Sequence, residues 1–304
     1  MKAIKIKLTI AFGMFLAFQI NAQQDPQFTQ YFDNALFVNP AYAGSTGMLT
    51  ATTIHREQWV GFEGRPSSTT ISLHSPLTYE SVGLGITAVR DVIGPLSQTM
   101  FYGDFSYSLK LTDKSKLSFG LKAGLNVISS QTSLLQTTQS NDINLLNNVR
   151  SRINPNFGFG IYYHTPKFFA GLSTPKLIEQ SLDGTTTNKE QRHYFGIVGA
   201  VIPLSSAWKL RPTSQVKATI GAPISIDMSV TGIYQDQIWF GSMYRLNAAF
   251  GVFAQYQISP SFRIGLASDF STTQIRKYNY GTYEFLLSYD FKFNKQGIRS
   301  PRYF

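Results

Sequence analysis

Histidine is the side chain that most readily ligates a metal or passes a proton near neutral pH. The chain has four, His55, His74, His164 and His193. No two have the spacing that puts metal ligands on one helix face, so each reads as a surface or interfacial residue. There is no cysteine, which removes thiolate metal sites and disulfides together. Gly83-Leu84-Gly85 and Gly158-Phe159-Gly160 faintly resemble phosphate loops. They lack the helix that such loops open, and small residues in strands account for them. A lipid-facing esterase needs a serine served by a histidine, and no such pair can be named. The sequence therefore predicts no enzyme, no catalytic residue, no metal and no cofactor.

The residues that remain are aromatic and marked by Pro and Gly. Gln23 to Gly47 carries Phe28, Tyr31, Phe32, Leu36, Phe37 and Tyr42, punctuated by Asp25-Pro26 and Asn39-Pro40. Those Pro pairs favour turns or extended backbone, and the stretch has neither a helical nor a strand period. Arg56 to Pro66 has Gly61, Gly64 and Pro66 as turn residues, and Arg56 with Trp59 is a candidate cation–π or interfacial pair.

The elements that must position these residues follow from composition and period. Met1–Ala22 has three lysines, the apolar run Leu8–Phe18 and a small residue at its end, and reads as a secretory signal peptide. Without it, 24 basic side chains face 17 acidic ones, a net +7. Export argues against nucleic acid as the partner of that charge and points to phosphate-bearing lipid or an acidic partner. No later apolar run reaches helix-spanning length. Charged residues are as scarce as aromatics are common, 14% each, which suits strands whose outer faces meet lipid better than disorder.

From residue 48 the dominant period is two. Leu117, Phe119, Leu121, Ala123, Leu125 and Val127 alternate with small or polar residues, and Tyr283, Phe285, Leu287 and Tyr289 do the same near the end. About 14 segments of bilayer-crossing length can be counted, starting near residues 48, 66, 81, 98, 115, 155, 167, 191, 207, 223, 236, 247, 261 and 282. An antiparallel meander without helices must close to satisfy its edges in lipid. The expected fold is an all-β, transmembrane antiparallel outer-membrane β-barrel spanning 48–293. The longest connections, near 129–154, 174–190 and 271–281, are all odd-numbered, whereas the even ones are tight. Barrels sort loop lengths this way between the two membrane faces, with both termini then periplasmic. The inward set mixes Lys110, Lys122, Arg211, Lys217, Arg263 and Lys292 with Asp104, Asp227, Glu284 and Asp290, a pattern suited to a partly occluded interior. Tyr162, Phe169, Trp208, Trp239 and Tyr289 are among the aromatics expected in interfacial belts.

Asp25 to Tyr31, Asn39 to Gly44 and Arg56 to Pro66 match Asp-Pro-x-Phe-x-Gln-Tyr, Asn-Pro-Ala-x-x-Gly and Arg-x-Gln-Trp-x-Gly-x-x-Gly-x-Pro. On these motifs the chain resembles the PorP/SprF family of Bacteroidetes outer-membrane proteins. Echoes continue in VGLGITAVRDVIGPLSQ and NFGFGIYYHTPKFFAGLSTPKL and in the closing SPRYF. The resemblance implies a barrel attached to the type IX secretion and gliding-motility apparatus. Its implied partners are that machinery and an exported, adhesin-like surface protein with a C-terminal sorting domain, in addition to outer-membrane lipid. A passive diffusion channel for small solutes is the alternative, since fold does not give function.

In that setting residues 23–47 are expected to be a periplasmic segment with two possible homes, as a plug in the barrel mouth or docked on a periplasmic component of the machine. The tail 294–304 is expected to be periplasmic, as an assembly signal or a contact. The candidate plug or partner-contact residues are Asp25, Pro26, Phe28, Tyr31, Asn39, Pro40, Arg56 and Trp59, with Arg302, Tyr303 and Phe304 in the tail.

Overall fold

Alternation at period two puts successive side chains on opposite faces of a strand, and it repeats until the chain meets its own start. The computed structural model describes residues 25–77, 81–130, 149–180 and 190–292. The proposed signal peptide and the tail with Arg302, Tyr303 and Phe304 lie outside the described residues. The strands are β1 (Leu49–Glu57), β2 (Ser67–Pro76), β3 (Val82–Ile93), β4 (Leu96–Thr112), β5 (Ser115–Ser130), β6 (Val149–His164), β7 (Phe168–Thr174) and β8 (His193–Ala200). They continue with β9 (Ile202–Pro203), β10 (Trp208–Thr219), β11 (Ser225–Tyr234), β12 (Ile238–Arg245), β13 (Ala249–Gln257), β14 (Phe262–Ser271) and β15 (Thr282–Phe291). β8 and the two-residue β9 both pair with β10 on either side of Val201 and make one stave, so fifteen strands build fourteen staves.

Every neighbour is antiparallel, and the seam is closed by β1 on β15, with Ile54 opposite Leu286 on one side and Thr70 on the other. Among the described residues closure gives every stave a hydrogen-bonded neighbour on each side, the condition a sheet must meet in lipid. All fourteen expected segments are present.

The outward set is apolar and exposed: Ile71, Ile86, Leu121, Leu125, Leu172 and Leu266 are examples. So wide an apolar surface is incompatible with water and matches a lipid-facing band. The inward set is polar and buried. Asp104, opposite Lys122 in the β4–β5 register, accepts from its ammonium at 2.7 Å. Asp227 accepts from Lys217 at 3.0 Å and from Arg245 Nε at 2.9 Å.

Several expectations are corrected. Lys110 and Lys292 are exposed at strand ends rather than in the lumen, because the β4–β5 hairpin runs past the end of β3 and Lys292 follows the last strand. Tyr162, Phe169 and Trp239 are buried inside and do not belong to an interfacial belt. Their strand positions carry the inward parity. Trp208, Tyr244, Tyr256 and Tyr289 do face outward.

Residues 25–47 fill the space within the staves. They make single turns, Tyr31–Asn34, Ala35–Val38 and Pro40–Tyr42, where the sequence showed no regular element. Pro40 starts its turn, where its missing N–H costs nothing. Asn39 caps it by accepting from the Ala41 N–H at 3.0 Å.

Candidate functional site

An N-terminal stretch with this many aromatic groups must find cover, and here the barrel provides it. Phe28, Tyr31, Phe32, Leu36, Phe37 and Tyr42 are all buried. Phe28 meets Phe37 edge-on, Phe32 packs on Phe253 with ring centres 5.4 Å apart, and Tyr42 lies between Tyr162 and His74. Each fully buried side chain of this size contributes about 1.5–3 kcal/mol relative to exposure.

Barrel side chains hold the segment largely by its backbone. Glu284 accepts from the N–H groups of Thr29 at 2.5 Å and Gln30 at 3.1 Å. Lys122 donates to the Leu36 carbonyl at 3.2 Å, and Ser106 donates to that of Ala43 at 2.6 Å. His74 Nδ1 accepts from the Gly44 N–H at 3.1 Å, which requires that nitrogen to be free of a proton. Asn39 donates its side-chain amide to the Ile161 carbonyl at 3.1 Å, and the Tyr31 hydroxyl meets Thr213 at 2.8 Å.

Two glycines show how closely the wall is cut to the segment. A Cβ at Gly120 would overlap the backbone of Pro40 and Ala41, and one at Gly160 would overlap the Asn39 side chain. Gly is the residue that lets two backbones approach this closely.

The electrostatic centre is Arg56. Its Nη1 lies 2.5 Å from Glu284 Oε1 and 2.8 Å from Asp269 Oδ2, with all three side chains at most 3% exposed. One cation facing two carboxylates leaves a net negative charge. The N–H groups of Thr29 and Gln30, and the Thr29 hydroxyl donating to Asp269 at 2.9 Å, supply the missing donors. The segment thus completes a cluster the wall leaves unbalanced. Arg56 is not partnered with Trp59 as the sequence suggested: its guanidinium points to carboxylates in the lumen. Trp59 sits in the following turn at φ 54° with its N–H donating to Thr282 Oγ1 at 3.3 Å.

Asp25 has a separate anchor. Lys176 Nζ donates to Asp25 Oδ1 at 2.6 Å and to Glu190 Oε1 at 2.5 Å, and His193 stands 3.7 Å away. Burial alone would raise the Asp25 pKa, but Lys176 and then His193 outweigh it and hold the carboxyl below its ordinary 3.8. Burial likewise disfavours the Lys176 cation, yet Asp25 and Glu190 keep its pKa well above the usual value. Because the folded pKa of Asp25 is depressed, its stabilising contribution is complete above the unfolded carboxylate range. It is lost as pH falls through the lower folded value. Proteolysis of residues near Asp25 should therefore accelerate only below about pH 4. Equal cleavage rates at pH 3 and pH 7 by one acid-tolerant protease, corrected for its own pH profile, would contradict this anchor. Pro26 follows Asp25, half-buried.

The structure thus brings Asp25, Phe28, Tyr31, Asn39, Pro40 and Arg56 into one lumen and leaves Trp59 at its rim. It adds Glu284, Asp269, Lys122, Ser106, His74, Lys176 and His193, which sequence reasoning did not assign to the segment. Inward parity marked Glu284 and Lys122 as lumen-facing, but nothing local paired them with residues 25–47.

No group of three or more His, Cys, Asp or Glu side chains able to hold a metal occurs among the described residues. No curated protein matches the chain. Among solved structures it is similar to the CymD monoaromatic hydrocarbon channel, with TM-score 0.54 and 12% identity, covering 87% of this chain and all of that one. It is also similar to the Ralstonia pickettii toluene transporter TbuX, with TM-score 0.50 and 11% identity over 86% of this chain and 93% of that one. At such identities the likeness establishes the outer-membrane barrel fold and nothing finer. Residues 20–289 match the family described as type IX secretion system membrane protein PorP/SprF. With nearly the whole chain covered, the protein belongs to the PorP/SprF family of type IX secretion system membrane proteins.

Proposed function

We propose that this barrel is a non-enzymatic outer-membrane component of the type IX secretion system that serves the secretion or surface attachment of an exported partner protein carrying a C-terminal sorting domain. The family supplies the secretion setting. The observation that separates a protein-holding role from a transport role is the lumen filled by residues 25–47, cut to fit at Gly120 and Gly160. A filled lumen suits a plugged adaptor and leaves little path for solute. The short turns 113–114, 165–167 and 235–237 would face the periplasm and the long connections the exterior, the usual sorting in such barrels.

The second reading, a passive channel for small solutes, is favoured by the likeness to a hydrocarbon channel and a toluene transporter. It requires the segment to move aside.

A clean deletion followed by quantitative proteomics of surface and medium tests the proposal. The expected result is loss of one or a few large sorting-domain proteins from the surface, with other export intact. Loss of the whole exported set would make the barrel a core part of the machine instead. An unchanged surface set would sink the secretion role.

A further inference from the structure

Among the described residues, the outward face of the strands carries charge in one patch only. Its members are Glu57 on β1 and Arg90 on β3, with His55 beside them. The strand register joins them, because His55 lies opposite Thr69 on β2 and Thr69 lies opposite Arg90. Glu57 is already served. It accepts from Arg65 Nε at 2.8 Å and from the Ser67 hydroxyl at 2.7 Å, and His55 Nε2 stands 3.3 Å away. His55 Nδ1 meets the Thr69 hydroxyl at 2.8 Å. Arg90 is exposed, with no hydrogen bond or ion pair to another described residue. An arginine on this face is costly at the membrane midplane and tolerated near the head groups. Glu57 ends β1 and Arg90 stands close to the end of β3 at Ile93, which puts the patch at head-group depth.

Further down the same wall is an open groove of about 530 Å³. Leu73, Leu84, Ile86, Phe105 and Leu121 wall it, and Gly103 and Ala123, paired across β4 and β5, form its floor. A Cβ at Gly103 would meet nothing closer than 3.9 Å, so the floor opens onto space rather than onto packed side chains. The outward residue of β3 between Arg90 and Ile86 is Ala88, again small. From Arg90 to Ile86 the strand covers about 13 Å. A cation at the membrane surface with an apolar trough in line beneath it matches the two ends of an amphiphile.

We propose that this wall holds one phosphate-bearing lipid, its phosphate on Arg90 beside His55 and one acyl chain in the groove over Gly103 and Ala123. A guanidinium offers phosphate oxygens paired N–H donors, and basic residues at a membrane surface draw anionic lipid. Arg65 neutralises the neighbouring Glu57 and so removes the nearest repulsion. Acyl chains touch the whole apolar band, but here an unpaired cation and an unfilled trough select one lipid and fix it. The site stands on the outer-membrane barrel fold and is independent of what the barrel exports or conducts.

Native mass spectrometry of the folded barrel in detergent micelles, titrated with phosphatidylglycerol, tests the site. One lipid per barrel is expected to be retained at concentrations where diacylglycerol with the same acyl chains leaves the barrel bare. Arg90→Gln is expected to weaken that first lipid about tenfold, the loss of a hydrogen bond to a charged group. Gly103→Leu places its side chain in open space, so the barrel should fold with an unchanged melting temperature while the same lipid weakens by a similar factor. Lys110→Gln, at the opposite mouth, should leave binding unchanged. Equal retention of the two lipids, or an unchanged first lipid in either Arg90→Gln or Gly103→Leu, would overturn the site. Displacement of the lipid by equimolar inorganic phosphate would reduce it to an anion contact and overturn it equally.

Discussion

Arg56→Met is expected to cost the barrel about 3–5 kcal/mol, the range for removing one partner of a buried ion pair. Asp269 and Glu284 would then face each other 3% and 1% exposed with no cation between them. The backbone donors of Thr29 and Gln30 cannot neutralise two charges. Urea unfolding of the refolded barrel in detergent micelles, followed by fluorescence of Trp59, Trp208 and Trp239, measures the loss. The combined variant Arg56→Met, Asp269→Asn, Glu284→Gln removes the charges along with the arginine. It should recover most of the stability, since the cost lies in uncompensated charge rather than in lost packing. A single-variant loss under about 1 kcal/mol, the value of an exposed pair, would mean that water reaches the cluster.

Removing residues 25–44 is expected to turn a nearly silent barrel into one with stable open-channel current in planar lipid membranes. The fourteen staves and their seam do not use this segment for their ladder. Glu284, Asp269, Lys122 and His74 would be hydrated once water replaced it. A milder form of the same test keeps the chain whole. Gly120→Val puts side-chain atoms where the Pro40–Ala41 backbone lies. Either the segment shifts and current appears, or the barrel loses about 1–3 kcal/mol to overpacking. Equal, low conductance in the wild type and the deletion would show that the strands or their connections close the pore. Equal, high conductance would favour the channel reading.

Barrel, strand count and closure were legible in the sequence because each depends on period-two alternation and on connection length, which are local or nearly so. The inward charges Lys122, Asp227 and Glu284 were legible for the same reason. His74 and His193 were read as incidental, since their importance comes from Gly44 and Asp25, far away in the chain. Tyr162, Phe169 and Trp239 were misplaced because an aromatic near a strand end looks the same whichever face it takes. Only parity relative to the neighbouring strands separates a belt from a core. Arg56 was paired with Trp59 by proximity in sequence, while its carboxylates lie more than two hundred residues on.

The sequence by itself determined that this chain makes a closed outer-membrane barrel, and its Pro, aromatic and Gly motifs determined the family. Tertiary structure alone decided where residues 25–47 go and in which direction they run. A strand's face follows from local alternation, whereas an aperiodic segment takes its place from whatever complementary surface the folded chain leaves open. Here that surface is assembled from glycines, carboxylates and a lysine on strands spread around the whole barrel, and it exists only once the seam has closed.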